Sequence, residues 1–192
     1  MNTKTNENNI LNTIYSMIES ENLSEEKIND ILILLKSALQ KNNTSLNISL
    51  IIKIYTTLTK SIPDTQKINN LLFINFHSLY IFIMLQEKNQ KETIRIFLLL
   101  LENYLMNNIK HILKEQIELI LFIIQEFIKK HNTLFFFQYG FLYLKLHDLV
   151  SSKKQYYHLK KELYITKELI LEICPKTKEG NELKQFIITK TI

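Results

Sequence analysis

The sequence predicts an all-α protein, and three observations carry that reading. Apolar residues recur at the i, i+3, i+4, i+7 spacing of a helix along nearly the whole chain. Only two glycines (Gly140, Gly180) and two prolines (Pro63, Pro175) occur in 192 residues, whereas sheets rich in tight turns need both types for φ > 0 and turn-start positions. Hydrophobic residues make up 46% of the chain, enough for a sizeable core.

The first expected helix covers about Asn8 to Glu21, with Ile10, Ile14, Met17 and Ile18 on one stripe and residues 1–7 disordered before it. The second follows Ser24, a good N-cap, with Glu25 and Glu26 in the first turn where the helix dipole favours negative charge. Its stripe is Ile28, Ile31, Leu32, Leu35 and Leu39. Thr44 or Ser45 is expected to cap the third, which carries Leu50, Ile51, Ile54, Tyr55 and Leu58. That helix stops before Pro63, because a residue preceding proline is pushed out of the α region. Asp64 would cap a fourth over about Thr65 to Gln86, burying Ile68, Leu71, Leu72, Asn75, Leu79, Phe82 and Ile83.

A fifth helix runs through about Met106, and a sixth spans roughly Asn108 to Lys130 with Ile109, Ile112, Leu113, Ile117, Ile120, Leu121, Ile124 and Ile128 as its stripe. The seventh covers about Thr133 to Val150. Ser151 or Ser152 introduces an eighth ending near Cys174, and Pro175 separates it from a last helix over about Lys178 to Ile188. Links this short set about nine consecutive helices antiparallel in a single domain, 1–192. Residues 71–85, 94–105 and 117–128 are apolar over more than half a helix circumference, which fits helices covered on two sides. Stacked hairpins, an α-solenoid, are favoured over a closed bundle on that ground.

Net charge is +5 with pI near 9.1. It is uneven: residues 131–192 carry ten lysines against six acids, while 1–63 carry six of each. Single alanine, valine and arginine residues beside abundant Ile, Asn and Lys have the bias of an AT-rich genome. The lone Cys174 excludes an internal disulfide, and the polar N-terminus shows no secretory pattern, so a reducing cytoplasmic setting is expected. No continuous apolar run approaches the roughly 18 residues of a membrane span.

In the C-terminal third, Phe136, Tyr139, Gly140 and Tyr143 stand at the spacing of the first helix of a tetratricopeptide repeat. Leu171–Pro175 is similar to the end of that repeat's second helix and its terminal proline. Lys176–Phe186 resembles the solvating helix that often follows. The hairpin is longer than the repeat's by about eleven residues, larger side chains such as Leu163 and Ile170 replace the small residue of its second helix, and no second copy lies upstream. The resemblance, over residues 133–188, implies protein binding along a concave face.

Signatures of catalysis are missing. The five histidines (His77, His111, His131, His147, His158) are dispersed, and no metal, phosphate-loop or nucleophile motif occurs, so no metal or cofactor is expected. His77 has the setting of a core or boundary histidine, and His147 beside Asp148 that of a helix-end pair in solvent. Cys174, at a helix C-terminus, faces the end of the dipole that disfavours a thiolate.

Two surfaces stand out. Lys153, Lys154, Tyr157, Lys160, Lys161 and Tyr164 would share one broad helical side, where lysines neutralise phosphates and tyrosines stack on bases. The competing account is an ordinary charged face with its lysines in water. Phe135, Phe136, Tyr139, Phe141 and Tyr143 are too apolar to stand in water, and face either core or a partner. The expectation is a non-enzymatic helical scaffold or adaptor within a larger assembly. The alternative is a basic factor binding RNA or a ribonucleoprotein such as the ribosome through 153–164.

Overall fold

A computed structural model describes residues 3–20, 23–40, 47–61, 66–85, 90–108 and 112–191. Among them are nine α-helices and no strand: α1 (Thr3–Ser20), α2 (Glu25–Gln40), α3 (Ile48–Ser61), α4 (Gln66–Leu85), α5 (Gln90–Asn108), α6 (Lys114–His131), α7 (Phe136–Ser152), α8 (Lys160–Glu172) and α9 (Lys178–Lys190). The all-α expectation holds. The helices cluster into two compact units, Met1–Tyr104 and Leu105–Ile192, whose boundary falls inside α5.

In the first unit α1 packs on α3, α2 on α4, and α1 more lightly on α2. α1 begins at Thr3, ahead of the expected Asn8, since its polar first turns contain no residue that stops a helix. Ser24 caps α2 as expected: the Lys27 amide donates to its Oγ (3.3 Å). Ile28, Ile31, Leu32, Leu35 and Leu39 are all buried. The α3 cap bond is made by Asn47, whose Oδ1 accepts from the Leu50 amide (3.1 Å). Thr44, Ser45 and Asp64, the caps expected from sequence, lie outside the described residues.

The middle of this unit is aromatic. The Phe76 ring lies 5.7 Å from that of Tyr55, 6.4 Å from Phe97 and 5.5 Å from Tyr104. The Tyr55 hydroxyl donates to Asn75 Oδ1 (2.7 Å), and Asn75 Nδ2 donates to the Leu71 carbonyl (3.0 Å). The polar atoms of that pair are therefore served without water. Among the described helices only α4 is long and apolar enough to cross a membrane (Ile68–Leu85, mean hydropathy 1.5). Of that window 61% is buried inside the fold, and Asn69 and Asn75 lie within it fully buried, as in a core helix.

In the second unit α6 packs on α8, and α7 on both α8 and α9. α6 begins at Lys114, six residues after the expected start. Gln116 Oε1 accepts from the Leu113 amide (3.0 Å), the backward arm of a capping box. A 3₁₀ turn, Asn132–Phe135, leads into α7. Lys153 then adopts an extended conformation (φ −126°, ψ 112°), and a second 3₁₀ segment, Lys154–Leu159, precedes α8. Residues 153–159, expected on the eighth helix, are thus not α-helical. The Tyr156 hydroxyl, donating to the Ile112 carbonyl at 2.6 Å, ties this segment to the residues before α6.

α9 closes on α7. A Cβ on Gly140 would stand 2.9 Å from Leu183 Cδ2 and 3.3 Å from Ile187 Cδ1, so glycine permits the approach. Thr177 caps α9, accepting from the Gly180 amide (3.0 Å), and Lys190 Nζ reaches Asp148 Oδ2 across the pair (2.8 Å).

Candidate functional site

The 3₁₀ segment decides which of the basic and aromatic residues reach a common place. Tighter winding turns Tyr156 and Leu159 inward, and leaves Lys154, Tyr157 and His158 outside. Lys153 is half-buried, its Nζ 5.6 Å from the centre of the Tyr156 ring. Lys160 Nζ stands 4.4 Å over the Tyr157 ring, and Lys161 is exposed.

Lys160 begins α8, and Leu163, Tyr164 and Lys167 follow at i+3, i+4 and i+7, on one side of that helix. These four face Tyr143, His147 and Ser151, which repeat every four residues along α7. Thr191, just past α9, completes the lining of an open cleft of about 440 Å3. Lys160 and Tyr164 thus join one cavity, whereas Lys153, Lys154, Tyr157 and Lys161 do not line it.

The cleft mixes charge, hydroxyls and apolar surface. Ser151 Oγ lies 3.4 Å from His147 Nε2. His147 Nδ1 is buried without a hydrogen-bond partner, and Asp148 Oδ1 is 3.9 Å away. Burial lowers the His147 pKa, Asp148 pulls it up, and the positive charges of Lys190 and Lys167 push it down again; the net direction is down. Burial also raises the Tyr143 hydroxyl; a hydrogen bond with Thr191 acts against that and the Glu168 carboxylate adds to it.

Of the aromatic set, Phe135, Phe136, Tyr139 and Tyr143 are buried, and only Phe141 is exposed, at 48%. The first four are core residues here rather than an exposed interface. Phe137, one turn earlier on α7, and Leu134 in the preceding 3₁₀ turn are exposed as well. Sequence reading missed Lys167, Ser151, Thr191 and His147 as members of a site. For α7 and α8 the four-residue spacing of polar residues was a usable signal, but Thr191 arrives only through the packing of α9.

A second concavity lies in the first unit between α2 and α4, about 400 Å3, lined by Lys36, Leu39, Gln40, Ile74, His77, Ser78 and Ile81. His77 is exposed there rather than buried in the core. Ile74, Ile81 and Leu85 form an exposed apolar row on α4, and Ile33 and Leu34 are half exposed on α2. Among the described residues no three of His, Cys, Asp and Glu are grouped to hold a metal ion. No protein-family model, curated protein or solved structure matches this chain.

Proposed function

We propose that this chain is a non-enzymatic helical scaffold or adaptor that binds another protein within a larger assembly. The observation that carries it is the apolar row on α4, where Ile74, Ile81 and Leu85 remain 41–52% exposed beside the α2–α4 groove. Exposed apolar residues beside a groove are the kind of surface on which a partner helix lays its apolar face. The next-but-one packing of helices within each unit supports a stack of hairpins, a surface type that tetratricopeptide-like proteins use for binding.

The test is affinity capture from the source cell, read by protein mass spectrometry, with wild-type chain and an Ile74→Glu/Ile81→Glu variant of equal helix content. One or more proteins should be held by wild type and lost from the variant. An identical set from both would reject the α4 row as a binding surface.

The second reading is RNA or ribonucleoprotein binding through the 153–164 surface, favoured by the exposure of Lys154, Tyr157, Lys160, Lys161 and Tyr164. Changing Lys153, Lys154, Lys160 and Lys161 to glutamate should then weaken RNA binding and flatten its salt dependence. Unchanged affinity would end this reading.

A further inference from the structure

The α7–α8–α9 cleft has properties that neither a protein-binding row nor a diffuse basic face requires. Its volume, about 440 Å3, falls within the range of small-molecule sites. Lys160 and Lys167 lie on one side of α8, separated by about 10 Å along the axis at the rise of an α-helix. Lys160 Nζ rests 4.4 Å over the Tyr157 ring outside the cleft, so it must swing off that ring for its ammonium group to meet one dianion together with Lys167, a movement its long flexible side chain allows. Ser151 from α7 and Thr191 past the end of α9 also line the cleft; the Thr191 hydroxyl donates to the Ile187 carbonyl and keeps acceptor capacity.

Nearby carboxylates do not cancel this charge. Asp148 is held by Lys190 at 2.8 Å, and Glu168 is one acid against the two lysines. Between the lysines stand Leu163, almost fully buried, and Tyr164, 62% exposed. A bare oxyanion would leave the exposed Tyr164 ring unused, whereas a phosphate carrying a planar base would use it.

We propose that the cleft binds a nucleoside monophosphate group, with the phosphate between Lys160 and Lys167 and the base against the Tyr164 ring. A free mononucleotide and the 5′-phosphorylated end of an RNA strand both carry this group. The site does not depend on the α4 row, so the adaptor reading and this one fail separately.

The experiment is calorimetric titration of the full chain with AMP, adenosine, and an RNA hexanucleotide with and without its 5′-phosphate. AMP or the 5′-phosphorylated strand should bind saturably, and loss of the phosphate should weaken binding by about tenfold or more. Lys160→Glu and Lys167→Glu should each weaken it by about tenfold or more, and Lys154→Glu, outside the cleft, by less than about twofold. Competition between AMP and the strand identifies the strand end as a source; AMP binding without strand binding identifies the free nucleotide. Two outcomes overturn the proposal: no saturable binding of either phosphorylated ligand at millimolar concentration, or Lys154→Glu weakening binding as much as Lys167→Glu. If a glutamate variant loses helix content by circular dichroism, Lys167→Gln, which keeps the aliphatic stem, takes its place, and the same two outcomes decide.

Discussion

Asn75 is a polar residue in the middle of the most apolar helix, and its partner explains how it is tolerated. The Tyr55 hydroxyl donates to its side-chain oxygen from α3, twenty residues earlier in the chain. Removing one member of such a pair leaves a buried acceptor unserved, which costs more than the bond itself contributes. Tyr55→Phe should therefore lower stability by about 1–3 kcal/mol in urea unfolding. A change below a few tenths would show that water replaces the phenol. The helical stripe already marks Asn75 as buried, and Tyr55 as well. That the two meet is not legible, because the meeting depends on the packing of α3 and α4.

Among the elements, α2 shows local chemistry agreeing with packing: a serine cap, acidic first turn and apolar stripe all indicate the same helix. α6 shows the opposite. Ile109, Ile112 and Leu113 continue its apolar period upstream, yet the helix starts at Lys114. Ile112 is buried without being helical, and its carbonyl accepts from Tyr156. The period fits buried Ile112 but not Leu113, which is 41% exposed, and burial alone does not distinguish a helix from a segment packed beside one. The break at Lys153 is equally hidden, since neither glycine nor proline marks it. At the start of α9 the geometry is tight: a Cβ on Gly180 would lie 2.5 Å from the Pro175 carbonyl oxygen. Backbone cannot give way as the methyl ends of Leu183 and Ile187 can opposite Gly140. Gly180→Ala should cost about 1–3 kcal/mol by overpacking. Gly140→Ala should cost less than that, because its clash is with flexible side-chain ends that can move aside rather than with backbone. Thermal melting of the two variants checks the order, and equal losses would contradict it.

At the scale of the whole molecule, the charge divides along the same boundary as the packing. Residues 1–104 hold ten basic and ten acidic residues, while residues 105–192 hold fourteen and nine, so the entire excess of five belongs to the second unit. The C-terminal bias was legible from sequence. The cleft that collects Lys160 and Lys167 was not, because α7, α8 and the end of α9 meet there only after folding. His147 gives that cleft a hold on global stability. Its pKa is lowered in the fold, so the folded state binds its proton less readily than the unfolded chain. The stabilisation is present above the ordinary histidine range near pH 6.5, and is lost as pH falls through the folded value. Urea midpoints should therefore decline on acidification below about pH 6.5, and His147→Gln should remove this contribution. An unchanged pH profile in that variant would show that His147 is not the group responsible.

The burial of the tyrosines has an optical consequence. With nine tyrosines and no tryptophan, near-ultraviolet emission from this chain is dominated by phenol rings. Tyr55, Tyr104, Tyr139 and Tyr143 are enclosed, and burial holds their protons to more alkaline pH than a free phenol. Phenolate absorbance from these four should appear late in an alkaline titration, so the native chain carries its own unlabelled gauge of core opening.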